Sequence, residues 1–224
     1  MENRSYGIGQ RTGERSIIAH KVLRNTYMLL AMTLLFSAVT AAAAVGLGVQ
    51  RMNILLFLVG AYGLMFLVHR TANSAAGLLS TFAFTGFMGF SLGPILSAYL
   101  SMSGGPQLVM TALGMTGAAF VGLSAVVLVT RKDFGFLANF IFVGMIVLLL
   151  SMLGAWLFQL PGMMLAISAG FVLLSSALIL YETSQIIHGG QDNYILATIS
   201  LYVAIYNLFL SLLSLLGMGG GSDD

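Results

Sequence analysis

The feature that most constrains this 224-residue chain is a succession of apolar runs, each near the length of a membrane-crossing helix and separated by short polar breaks. About 20 apolar residues cross a hydrocarbon core as a helix, because a helix satisfies its own backbone hydrogen bonds where no water can. Spans are predicted at about 25–48, 53–68, 75–101, 107–130, 136–158, 162–187 and 194–217. The expected fold is therefore an all-α membrane protein, a seven-transmembrane-helix bundle. Composition agrees: 58% of residues are hydrophobic and 7% charged, against roughly 25% charged in soluble domains. The second run is the shortest at 16 residues, with Arg51 and Arg70 placed to snorkel from its ends.

Three regions follow: an N-terminal tail at 1–24, the transmembrane domain at 25–217 and a short flexible tail at 218–224. The first tail carries Arg4, Arg11, Arg15, Lys21 and Arg24 against Glu2 and Glu14, beside a short apolar face of Ile17, Ile18, Val22 and Leu23. It reads either as a partly disordered topogenic segment or as a helix lying on the membrane surface. The first apolar run is long enough to span, which argues against a cleaved leader. One side of the bundle receives the five basic residues of the tail with Arg70, Arg131 and Lys132, and the other receives Arg51 alone. The positive-inside rule then puts the N-terminus in the cytoplasm and, after seven crossings, the C-terminus in the periplasm.

Small residues recur inside the spans and mark places for close helix approach: Gly114, Ala118 and Gly122, then Gly86, Gly89 and Gly93, and the patch from Ala41 to Ala44. In the last span Ser200, Ala204, Asn207, Ser211 and Ser214 recur at intervals of four, three, four and three, forming one stripe that serves packing or lines a water-filled path. Pro94 next to Gly93 removes a backbone hydrogen bond and predicts a kink in the third span, either for packing or as a gating hinge.

Glu182 is the one acid inside an apolar run. A charge at the bilayer centre costs about 2.5–3.5 kcal/mol on insertion scales, less near an interface, so it calls for a partner or a purpose. The predicted topology puts it near the cytoplasmic end of its helix, where His69, Arg70, Arg131, Lys132, Asp133, His188 and Asp192 also gather. Glu182 with Arg70 is the candidate pH-sensing latch, and a structural ion pair is the alternative.

Other chemistries find no support. Gly89-Phe90-Ser91-Leu92-Gly93 has the form of a nucleophile elbow, but it lies inside a span, and His20, His69 and His188 map to helix ends. The histidines are far apart and no metal-binding motif, phosphate loop or dinucleotide fingerprint is present, so neither an enzyme nor a bound cofactor or metal is expected. There are no cysteines for disulfides. The sequence pI near 9.0 reflects membrane-flanking basic residues, so no nucleic acid is expected as a partner; the bilayer is. The runs show no repeat of the kind secondary transporters carry.

Leu180-Tyr181-Glu182-Thr183, Asp192-Asn193-Tyr194-Ile195 and the segment from Ser200 to Phe209 together resemble the C-terminal signature of the Bax inhibitor-1 family. Arg131-Lys132-Asp133-Phe134 and Phe82-Ala83-Phe84-Thr85-Gly86 fit its other segments. Residues 20–27, 62–67, Gly93-Pro94-Ile95-Leu96 and 186–190 bring the chain nearest the family's bacterial YccA-like branch. The resemblance implies a multi-pass protein of the bacterial inner membrane that modulates, and is a substrate of, the FtsH membrane protease, engaged through the N-terminal tail. It also implies an alternative, a pH-sensitive calcium leak channel in which two intramembrane aspartates pair. Here the first of those positions matches Glu182 and the second matches Ala204, which holds neither proton nor charge, so only a reduced latch of Glu182 with Arg70 remains.

Overall fold

The computed structural model describes residues 3–160 and 162–219, with side chains from Ile18 onward. The expected flexible tail at 218–224 falls outside these residues beyond Gly219. The chain forms α1 (Asn3–Gly46), α2 (Ile54–Thr71), α3 (Ala76–Ser91), α4 (Gly93–Leu100), α5 (Gly105–Thr130), α6 (Leu137–Leu157), α7 (Met163–His188) and α8 (Tyr194–Gly219). Seven segments are long and apolar enough to cross a membrane, with α3 and α4 together making the third and Ile18–Gly46 of α1 the first. α1 runs through residue 24 without a break. α2 is 18 residues long, about 27 Å at 1.5 Å per residue, and starts where the Asn53 side chain accepts the Leu55 N–H at 2.8 Å.

The third span breaks where Pro94 requires it. Pro94 sits in the first turn of α4 and has no N–H to return to the preceding turn. Leu92 forms the junction, donating to the Gly89 carbonyl at 3.0 Å while its own carbonyl accepts from Leu96 at 2.8 Å. The position at which Gly93 and Pro94 lead one to expect a kink coincides with this boundary between α3 and α4.

α8 is the axis of the bundle. It packs against α7, α1, α5 and α3 and is the most buried span, whereas α2 lies outside α3 and α6 outside α7. Large apolar side chains on those outer helices point away from the protein, among them Leu56, Phe66, Phe142 and Leu150, as expected where lipid is the solvent. Polar side chains turn inward: Ser37, Thr81, Thr85, Ser91, Ser175, Glu182 and Ser211 are buried.

Close approach divides the two glycine series. A Cβ at Gly89 would strike the Ser37 carbonyl and Thr40 hydroxyl of α1, and one at Gly93 would strike Ala44. Gly86, Gly89 and Gly93 therefore let α3 and α4 sit directly on α1. The expectation for Gly114, Ala118 and Gly122 is corrected: Gly114 and Gly122 have nothing within 4 Å of an added Cβ, and all three residues are exposed. α5 buries the face carrying Ala112, Thr116, Ser124 and Val127 instead.

Candidate functional site

The last hairpin is built by turn chemistry at its tip. Gly189 adopts a left-handed φ of 76° that ends α7, and Gly190 N–H returns to the Gln185 carbonyl at 2.8 Å. The Asn193 carboxamide oxygen then accepts the Ile195 and Leu196 N–H groups at 2.9 and 3.2 Å, starting α8. Its amide nitrogen donates to the Ala72 carbonyl at 3.2 Å and to Asn73 Oδ1 at 2.8 Å. One side chain thus caps a helix and ties the α2–α3 turn to the hairpin.

Glu182 lies about one and a half turns inside that tip, 8% exposed, on the face of α7 that meets α8. The Ser200 hydroxyl of α8 stands beside its carboxylate. Fourteen residues further from the tip on each helix, Ser168 donates to Ser214 at 3.1 Å. The two contacts fix an antiparallel register in which Ser175 lies level with Asn207, halfway between them. The stripe of Ser200, Ala204, Asn207, Ser211 and Ser214 therefore runs along the α7–α8 seam: Ala204 and Ser211 are buried, and the other three half-buried.

Arg70 does not join this seam. It is exposed in the last turn of α2, and no ion pair links it to Glu182 among the described residues. His69, its neighbour, is exposed with Nδ1 at 2.9 Å from the Met65 carbonyl. The remaining end-cluster residues divide into two groups. Arg131, Asp133 and His188 are brought together: His188 Nε2 lies 3.1 Å from the Arg131 carbonyl and Nδ1 lies 2.9 Å from the Ser184 carbonyl. The Ser184 hydroxyl accepts the Phe134 N–H at 2.9 Å and donates to Asp133 Oδ1 at 3.5 Å. This network fastens the α5–α6 loop to the end of α7, with Arg131 at a left-handed φ of 51° terminating α5. Lys132 and Asp192 are exposed and stand apart from it.

A second polar set escaped the sequence reading. The Tyr202 hydroxyl donates to the Thr85 carbonyl at 3.2 Å and accepts from Ser37 at 2.6 Å. One turn on, Tyr206 donates to Ser91 at 3.2 Å, whose own hydroxyl donates to the Met88 carbonyl at 2.6 Å. Ser91 is thus a helix-end hydroxyl with a tyrosine partner and no base. The available signal was the four-residue spacing of Tyr202 and Tyr206, which puts both on one face of α8. Beside them a cavity of about 650 Å³ opens between α1, α4, α5 and α8, lined by Ala41, Leu96, Thr116 and Phe209 among others. Among the described residues no group of three or more His, Cys, Asp or Glu comes together to hold a metal ion.

Residues 19–221 match the family described as Inhibitor of apoptosis-promoting Bax1. The chain is 56% identical over 198 residues to an Escherichia coli protein named Modulator of FtsH protease YccA, covering 88% of this chain and 90% of that one. The same identity and coverage relate it to a protein of a second Escherichia coli strain named Inner membrane protein YccA. It is 52% identical over 223 residues to an uncharacterized Pseudomonas aeruginosa protein, covering 100% of both chains.

Proposed function

The chain belongs to the Bax inhibitor-1 family, and from that membership we propose that it is an inner-membrane modulator, and a substrate, of an FtsH-type membrane protease. The observation that carries the proposal is the 56% identity over 88% of the chain with a relative named for that role. The mechanism follows from the joint between tail and bundle. A processive protease that takes hold of residues 1–24 pulls on α1, which passes directly into the first span. α1 is held in turn by α3 and α4 at the Gly89 and Gly93 contacts and by α8 at Ser37 and Tyr202. Extraction must break these contacts together, so the protein occupies the machine longer than a loosely packed substrate does. The basic end of the bundle then faces the cytoplasm, where the protease works, and no catalytic step is assigned to the chain itself.

Deleting residues 2–15 tests the mechanism. Degradation of the shortened chain by the protease is expected to cease while membrane insertion is retained; turnover at the full-length rate would overturn the tail-first account.

A cation leak pathway, with calcium as the ion, is a second reading favoured by one observation: a buried acid, Glu182, with a serine rather than a base as partner. Against it, Ala204 stands where a second acid is needed and the polar stripe is pressed against α7. Vesicles containing the purified protein separate the readings. A calcium flux that varies with pH and is altered in Glu182→Gln supports the channel, and flux equal to that of protein-free vesicles rejects it.

A further inference from the structure

The basic corner where α1, α5 and α7 meet has a use that neither the protease reading nor the leak reading requires. His20, Lys21 and Arg24 project from α1 and are exposed, and with Leu23, Tyr27 and Leu128 they line a hollow of about 670 Å³. A second hollow of about 300 Å³ adjoins it, sharing His20, Leu23 and Leu128 and adding Arg131 and His188. No acid occurs between Glu14 and Asp133, so every charged side chain that this stretch brings to the corner is basic. Asp133 is turned to Ser184 and to the Gly135 N–H at 2.7 Å. Lys21 and Arg24 have no hydrogen-bond or ion-pair partner among the described residues.

A further observation specifies the occupant. The same face of α1 continues from Lys21 and Arg24 through Met28, Met32, Leu35 and Val39, spaced four, three and four apart and all exposed. That surface is cationic at the membrane boundary and apolar beyond it. Basic hollows between transmembrane helices at the positive end of a bundle suit anionic headgroups, and the apolar stripe suits the acyl chains below one.

We propose that this corner is a binding site for an anionic phospholipid. Lys21 and Arg24 hold the phosphate, and the chains lie along Met28 to Val39. The bound lipid pins the base of the N-terminal tail to the membrane boundary. The site stands whether or not the protease reading does.

The test uses the purified full-length protein in mixed micelles, with lipid retention read by native mass spectrometry. Phosphatidylglycerol is compared with phosphatidylcholine of the same chains and with soluble glycerol phosphate. Phosphatidylglycerol is expected to bind at least tenfold tighter than either. The Lys21→Gln, Arg24→Gln double variant should lose that preference, and Arg70→Gln, a base removed at the same end of the bundle, should not change it. Thermal unfolding in phosphatidylcholine alone checks that each variant is folded. Equal retention of the two lipids by the native protein, or an undiminished preference in the double variant, would overturn the proposal. So would glycerol phosphate binding as tightly as the lipid, which would mark a soluble-anion site. Selective binding of an acidic peptide without lipid preference would assign the corner to a protein partner instead.

Discussion

At the residue scale the structure separates glycines that look alike in sequence. Gly89 faces the Ser37 carbonyl and the Thr40 hydroxyl, so Gly89→Ala must push α3 off α1 and should destabilise by about 1–3 kcal/mol. Gly114→Ala enters open space and should fall within about 0.5 kcal/mol of the native protein. Thermal unfolding in detergent compares the two; equal losses would mean that the α1–α3 contact is not held by glycine. Tyr202→Phe keeps the ring in place but removes the donor to Thr85 and the acceptor for Ser37, and should cost about 1 kcal/mol by the same measurement. Glu182 has a serine for a partner, so Glu182→Gln, which keeps the shape and a hydrogen-bonding group, should leave the fold intact. Glu182→Leu should strand only the Ser200 hydroxyl.

At the element scale, Asn193 is the side chain on which two connections depend. Asn193→Ala should cost about 1 kcal/mol as a lost cap, and backbone amide exchange should quicken at Ile195 and Leu196, whose N–H groups it accepts. Exchange should quicken also in the α2–α3 turn, which the same side chain holds at Ala72 and Asn73. A change confined to α8 would show that the turn is held by packing alone. This scale also shows what the sequence could and could not say. Span number and approximate limits followed from run length, and the break at Leu92 followed from Pro94, because both are backbone requirements. The buried face of each helix did not follow. In lipid the outward face is as apolar as the inward one, so hydrophobic periodicity carries little information, and the small residues at Gly114 and Gly122 point to lipid while those at Gly86 and Gly89 point to α1. The candidate site was legible in the same partial way. Glu182 stood out as a lone charge and its stripe as a periodicity, but the Ser200 partner depends on the α7–α8 register, which the Gly189 to Asn193 turn sets.

At the scale of the whole molecule, the bundle is a central α8 wrapped by α1, α3, α5 and α7, and nearly every polar bridge across it ends on α8 or α7. α1 is the only one of these helices that continues past the basic end of the bundle as a long segment. On the tail-first proposal, the same helix presents the handle and is gripped by the core, which is the arrangement a slow substrate of a pulling protease requires. The proposed lipid site lies where handle and core meet, at His20 to Tyr27. Bringing this protein and an FtsH-type protease into one set of vesicles with a second, rapidly degraded membrane substrate tests the central claim most directly. The rate at which that substrate disappears is predicted to fall as this protein is added and to recover when residues 2–15 are deleted from it. A rate that is the same with and without the full-length protein would contradict the account.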